Sequence, residues 1–260
     1  MSIIKLFKIT CKTNLHVGSG ENELNLVENS VQRDSITKFP IINSSSLKGA
    51  IREYFKNNEK NDEKNKVNSY FGSETEGRGR IIFFDAKLFA YPFVSNTYGK
   101  NYAMKTCDQI TMELEEMYKL LIKNNKDIDD IDDKIIKCQY MKILEKNCKE
   151  DLEKCKKVFE KCKEDFEKNY KETLENFKEV VNELPVIARN HLENGLSKNL
   201  WYEEFVPRET IFYTFFSEID NNNNKESLIK YFSEEINNKI IQIGANATIG
   251  YGYCLFEEVK

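Results

Sequence analysis

Lys48 and Arg52 stand four residues apart, the spacing that puts two side chains on one face of a helix. Both are cations at neutral pH, so together they offer a polyanion two contacts that hold it without reading its sequence. Just before them come Ser44, Ser45 and Ser46, whose hydroxyls suit a helix start because a serine oxygen can accept an orphan backbone N–H. Gly18-Ser19-Gly20 and Gly244-Ala245-Asn246 are turns able to point several amides at an anion. The loop after the first turn carries Glu21, Glu23 and Asp34, oxygen groups that can ligate a hard cation or accept a proton. His16, just ahead of that turn, is a side chain able to exchange protons near neutral pH. Amides, carboxylates and cations around one concave edge are the means of gripping a polyanion.

Several elements must bring these groups together. Residues 1–17 alternate as a strand, with Ile4 and Leu6 on one side and Phe7, Ile9 and Cys11 on the other, until the glycines end it. Residues 21–38 are polar and irregular, a long loop of the kind that carries function in ordered domains. Phe39 to Ile42 is a short buried segment. Leu47, Ala50, Ile51, Tyr54 and Phe55 recur at helical spacing and form an apolar stripe. Residues 57–70 read as a polar excursion rich in Asn and Lys, followed by a glycine-arginine turn at Gly77-Arg78-Gly79-Arg80. Residues 81–91 are aromatic and β-branched, a strand or bent strand pair.

Between Gly99 and Pro185 there is neither glycine nor proline, and the composition predicts helices over 108–125 and 133–182. After Pro185, two apolar runs flank Asn194-Gly195, a strong hairpin signal. A strand over 211–216, an amphipathic helix over 227–237 and strands over 240–244 and 253–256 complete the chain. The last two flank the glycine-rich loop 244–252. Strands and helices in this order make an α+β chain.

Composition narrows the function. A net charge of −4 argues against binding nucleic acid by bulk charge but leaves room for a local basic groove. Charged residues make up 32%, which implies long solvated surfaces. The amino terminus lacks a charged lead followed by an apolar run, and no stretch approaches the ~20 apolar residues of a membrane span. A cytoplasmic protein with no membrane partner is therefore expected. Its cysteines (Cys11, Cys107, Cys138, Cys148, Cys155, Cys162 and Cys254) are then expected to be reduced. Cys148, Cys155 and Cys162 repeat every seven residues, which spreads them along a helix seam instead of converging them on a zinc ion.

Three segments together resemble the RAMP proteins of type III CRISPR interference complexes, nearest to the backbone subunit of the Cmr-type (III-B) complex. The first is His16-Val17-Gly18-Ser19-Gly20 with Val31-Gln32-Arg33-Asp34 and Ser44 through Glu53. The second runs from Leu184-Pro185-Val186-Ile187-Ala188-Arg189-Asn190 through Asn194-Gly195 to Trp201-Tyr202-Glu203-Glu204 and Pro207. The third is Gln242 through Gly252.

The resemblance implies a ferredoxin-like (RRM-related) RAMP core with a large helical insertion and a projecting β-hairpin thumb. The first part of the core would be residues 1–99, including the acidic loop 18–38. The insertion would be 100–184, the thumb 185–206 and the last part of the core 207–260. It also implies stacked copies of the chain along one CRISPR RNA, alongside other Cmr-type subunits. Target RNA would be displaced by the thumb and cut at six-nucleotide intervals in a metal-dependent reaction.

Lys48, Arg52 and Arg33 would lie along the guide backbone, with Ser44, Ser45, Ser46, Gly18 and Ser19 beside them. Gly244, Asn246 and Arg189 would complete the RNA contacts. Ile187 and Leu192 would prop apart stacked bases. The catalytic aspartate of the family falls at Glu28 here, the expected Mg2+ or Mn2+ ligand, with Glu21, Glu23 and Asp34 as alternates and His16 as a further acid or base. A glutamate sets its carboxylate one methylene farther out, and a misplacement of about 1 Å can cost on the order of a hundredfold. A non-cleaving RNA-binding scaffold is therefore the alternative. A third reading is a stand-alone guide-processing ribonuclease using His16.

Overall fold

The structure is a computed structural model that describes residues 4–20, 27–58, 64–74, 77–95, 101–123, 168, 170–219 and 227–259. Strand β1 (Ile4–Cys11) is buried on both faces from Leu6 onward, Lys8 and Thr10 included, with the Lys8 ammonium paired to Glu257 at 2.8 Å. It pairs antiparallel with β10 (Ile211–Glu218) on one side and β12 (Tyr253–Glu258) on the other, with Phe7 opposite Thr214 and Cys11 opposite Cys254. The main sheet runs β11 (Lys239–Gln242), β12, β1, β10, β6 (Ala86–Val94), β2 (Ile41–Ile42). Strand β5 (Ile81–Phe83) also pairs with β10, and β7 (Tyr102–Lys105) with β6.

Helix α1 (Ser44–Asn57) follows β1 and β2, and α5 (Leu228–Ile236) follows β10. Reduced to its core, the order is strand, helix, strand, strand, helix, strand, with the fourth strand beside the first and the third between first and second. That is the expected ferredoxin-like arrangement.

Both faces of the sheet are covered. On one, Phe7 meets Phe216 and Phe216 meets Phe232 of α5, each pair with ring centres 5.3 Å apart, while Phe55 of α1 stacks on Phe232. On the other, α3 (Asp108–Lys123) sets Tyr118 against Phe215 and buries Ile110 and Leu114. Helix α4 (Leu174–Asn182) inserts Phe177 between Phe39 and Phe93, at 5.4 and 5.6 Å. Past the end of β1, the opening glycine turn, the start of α1 and the closing loop 244–252 come together.

The segment 57–70 is not all loop. Helix α2 (Lys64–Phe71) occupies its second half and buries Val67, Tyr70 and Phe71, an apolar stripe that the Asn and Lys residues around it obscure. It leads into the short ribbon β3 (Gly72–Ser73) and β4 (Gly77–Arg78). Nor is 100–184 purely helical. Strand β7 opens it, and the helix expected to continue through 182 is interrupted where Lys171 bridges Thr106. Thr173 then caps α4, accepting the Asn176 N–H at 3.3 Å. Most of the expected helix 133–182, with Cys138, Cys148, Cys155 and Cys162, lies outside the described residues.

Strands β8 (Val186–Glu193) and β9 (Leu196–Glu204) form the expected hairpin as a separate two-stranded sheet. Asn194 and Gly195 both have positive φ, 52° and 80°, the conformation that a two-residue turn of this twist demands. Its outer length is exposed on both faces, so it projects from the core. Among the described residues, no helix is long and apolar enough to cross a membrane.

Candidate nucleic-acid interface

Past β1 the chain is pinned by its backbone. Leu15 exchanges two hydrogen bonds with Val206, at 2.9 and 2.8 Å. His16 is buried, and its Nδ1–H donates to the Glu204 carbonyl at 2.7 Å. A carbonyl can only accept, so the proton sits on Nδ1. The His16 carbonyl in turn accepts the Ala245 N–H at 2.9 Å. This contact brings the closing glycine loop onto the opening turn. A Cβ on Gly244 would lie 2.2 Å from the His16 oxygen, at φ +78°, so that position is closed to any side chain.

Gln32 joins the turn to the helix. Its Nε2 donates to the Gly18 carbonyl at 3.2 Å and to Ser46 Oγ at 3.0 Å, while Oε1 accepts the Asn43 N–H at 2.9 Å. Asp85 Oδ1 accepts the Ser44 N–H at 2.6 Å. Two N–H groups at the start of α1, those of Asn43 and Ser44, are thus met by a distant glutamine and a distant aspartate and not by the serine hydroxyls. The serines fall inside the first turn, because the helix begins at Ser44. Ser45 is exposed there, and Ser44 and Ser46 are half-buried.

Lys48 lies half-buried with its Nζ 5.8 Å from the centre of the Phe83 ring. One turn on, Arg52 donates through Nη2 to the Gly72 carbonyl at 3.2 Å. Ser19 is drawn to the returning loop, its N–H donating to the Ser30 carbonyl at 2.9 Å.

The base of the hairpin carries two buried carboxylates. Glu203 Oε1 accepts from Arg189 Nε at 2.9 Å and from Asn246 Nδ2 at 2.7 Å, and Arg189 Nη2 lies 2.8 Å away as an ion-pair contact. Arg189 also lies over the Tyr251 ring, 4.8 Å from its centre. Glu204 faces the other way and accepts Arg33 Nη2 at 2.5 Å and the Val31 N–H at 3.0 Å. Arg33 further donates to the carbonyls of Lys38 and Asn182, at 2.9 and 3.2 Å. Its guanidinium therefore braces the loop from three sides. On the hairpin, Ile187 is 37% and Leu192 59% exposed.

Of the residues singled out from the sequence, His16, Gly18, Ser19, Arg33, Ser46, Arg189, Gly244 and Asn246 are linked through this network. Gln32, Asp85, Glu203, Glu204 and Tyr251 were not singled out. Gln32, Glu203, Glu204 and Tyr251 stand inside the quoted motifs, but nothing local in the sequence marks a partner 171 positions away, as Glu204 is for Arg33.

Residues 8–255 match the RAMP superfamily. The chain belongs to that family. It is 30% identical over 271 aligned residues to the CRISPR system Cmr endoribonuclease Cmr4 of Pyrococcus furiosus, covering 93% of this chain and 90% of that protein. In fold it is similar to a chain of the cryo-EM structure of the type III-B Cmr-beta complex bound to cognate target RNA. That match has a TM-score of 0.71 and 22% identity, and covers 99% of this chain and 97% of the other. A crystal structure of oligomeric Cmr4 from Pyrococcus furiosus matches at a TM-score of 0.65 and 24% identity, over 98% of both chains.

In this RAMP chain the seat that the resemblance gives to an aspartate holds Glu28, which is exposed. The next residue is stitched to the hairpin. The Asn29 N–H donates to the Tyr202 carbonyl at 3.2 Å, and the Asn29 carbonyl accepts the Glu204 N–H at 3.0 Å. Glu28 is therefore carried beside the hairpin base.

Of the alternates, Glu21 and Glu23 lie outside the described residues. Asp34 is engaged in its own turn, with Oδ1 accepting the N–H groups of Ile36 and Thr37 and the Thr37 hydroxyl at 3.0, 2.8 and 3.1 Å. Burial pushes the Asp34 carboxyl up, but those hydrogen bonds and nearby Lys87 outweigh it and hold it below its ordinary value.

Among the described residues, no three His, Cys, Asp or Glu side chains converge as a metal site. Glu28 offers one carboxylate, whereas Mg2+ requires six oxygens in near-octahedral array. A Mg2+ or Mn2+ held through one carboxylate would take its remaining oxygens from water and from RNA phosphate.

Proposed function

We propose that this chain is a Cmr4-type backbone subunit of a type III-B CRISPR interference complex. In this reading, successive copies hold CRISPR RNA along the edge built from the opening glycine turn, the start of α1 and the closing glycine loop. The complementary target lies against the projecting hairpin and is cut at six-nucleotide intervals. The carrying observation is the Cmr4 relative, 30% identical across 93% of the chain. The stitching of Asn29 to the hairpin base supports it, because that pairing carries an exposed carboxylate to the foot of the element that would displace a nucleotide.

The edge suits a nucleic-acid backbone more than its bases. Lys48 and Arg52 give charge without sequence information, so one protein can hold any guide. The hairpin's exposed Ile187 and Leu192 are suited to wedging between stacked bases. At the flipped position, the ribose 2′-oxygen would attack the adjacent phosphorus as the bond to the 5′-oxygen breaks, leaving a 2′,3′-cyclic phosphate. The Glu28 carboxylate would accept the 2′-hydroxyl proton, a role worth typically 10²–10⁴-fold, and the 5′-oxygen would take a proton from solvent.

The test is the assembled complex with guide and complementary RNA, with and without Mg2+ or Mn2+. Wild type is expected to yield products at six-nucleotide spacing, and Glu28→Gln to bind target equally but lose cutting by at least a hundredfold. Undiminished cutting by Glu28→Gln overturns the role of that residue. Target binding without any cutting by wild type favours the scaffold reading, in which the longer glutamate fails where an aspartate would act. Complexes that hold no RNA overturn the whole proposal.

A further inference from the structure

We propose that Gln32 is the positioning residue of the RNA-holding edge, an inference that rests on the function proposed above. Its carboxamide can sit only one way round. The Asn43 N–H is a donor, so the atom 2.9 Å away must be Oε1. The Gly18 carbonyl is an acceptor, so the NH₂ must face it at 3.2 Å. That same nitrogen reaches the Ser46 hydroxyl at 3.0 Å.

The main chain of Gln32 is equally occupied. Its N–H donates to the Val17 carbonyl at 2.8 Å, and its carbonyl accepts the Ile41 N–H at 3.0 Å. One residue thereby joins the turn after β1, the loop 27–38 and the first turn of α1. The carboxamide therefore sets where the glycine turn stands relative to the first turn of that helix, while Lys48 and Arg52 sit farther along it. The body of α1 is held independently, because Leu47, Ile51 and Phe55 are buried in the core. Loss of the carboxamide should therefore loosen the edge without unfolding the chain.

Gln32→Met is the informative change, since methionine is unbranched, neutral and of similar length but bonds none of the three partners. The full chain would be titrated with single-stranded guide RNA across a salt series, with urea unfolding followed in parallel. The expected result is a folded variant that binds about tenfold more weakly, the equivalent of one or two hydrogen bonds. The slope of affinity against salt should stay unchanged, because no cation has been removed.

Lys48→Ala with Arg52→Ala is the comparison, expected to lower that slope by about 0.7 per lost phosphate contact on a single strand. A folded Gln32→Met protein that binds like wild type overturns the inference, as does one whose salt slope falls with its affinity. So does unfolding under the assay conditions, which would make Gln32 a residue of the fold alone. If the Lys48 and Arg52 variant binds RNA normally, the proposed edge itself fails, independently of Gln32.

Discussion

Glu203 and Asn246 are 43 residues apart in the chain, yet their side chains meet at 2.7 Å. Asn246 can turn there because it holds the left-handed conformation, φ 66°, which asparagine tolerates better than most residues. The same Glu203 oxygen binds Arg189 on the partner strand of the hairpin. Its neighbour Glu204 faces the opposite side of the strand, as alternation requires, and there it holds Arg33 and Val31. Two consecutive glutamates thus tie the hairpin base to the closing loop on one side and to the opening loop on the other. These two carboxylates add to the backbone bonds from Asn29 and Leu15 that hold the hairpin base to the core.

Glu203→Ala should therefore be costly. The Glu203 side chain is 6% exposed and that of Arg189 15%, so truncation leaves a guanidinium in a poorly solvated place. Breaking such a pair costs about 3–5 kcal/mol. Glu203→Gln keeps an acceptor oxygen for Asn246 and Arg189 and should cost about half as much. Urea unfolding of the two variants measures the difference, and near-wild-type stability of Glu203→Ala would refute the clamp.

Two glycines should respond in opposite directions to alanine. At Gly252, a Cβ would sit 2.0 Å from the Ile243 oxygen at φ +80°. Gly252→Ala must shift backbone, and a loss of at least about 2 kcal/mol is expected. At Gly49, within α1 and exposed, a Cβ meets nothing within 4 Å. Gly49→Ala should gain about 0.5–1 kcal/mol from helix propensity. Thermal midpoints decide both. If Gly49→Ala gains stability but weakens guide binding, the RNA runs close to that helix face.

The contrast between those glycines shows what was legible in the sequence. Local rules worked where the physics is local. Alternation marked β1, the apolar stripe marked α5, and Asn194-Gly195 marked the hairpin down to its turn conformation. Lys48 and Arg52 were visible because helical spacing needs no partner. The failures share one cause, which is that the deciding partner was distant. Ser44, Ser45 and Ser46 read as caps, but Gln32 and Asp85 take the N–H groups of Asn43 and Ser44 at the helix start. Helix α2 was hidden because three buried residues in a polar octapeptide carry little periodic signal. The break before α4 depends on the bridge between Thr106 and Lys171, a pairing that composition cannot reveal.

Alkali should destabilise the protein through groups the core keeps protonated. Burial pushes the Tyr91 hydroxyl up to about 12, with Arg33 opposing and Glu204 adding to the rise. Burial pushes Tyr213 up further, helped by Glu113 and Asp34. The Cys11 thiol is raised by its hydrogen bond with Cys254, 3.9 Å away across the β1–β12 pair, and then by burial. In each case the fold favours the protonated form.

The resulting stability is complete below the unfolded-state values of 9.0 for the thiol and 10.0 for the tyrosines, and it is lost as pH rises through the folded-state values. The unfolding midpoint should hold level up to about pH 9 and then fall through pH 12. Tyr91→Phe removes one titrating group, so it should fall less steeply than wild type above pH 10, by up to about 2 kcal/mol at the alkaline end. Parallel curves for wild type and Tyr91→Phe would show that Tyr91 ionises in the folded protein as it does in water.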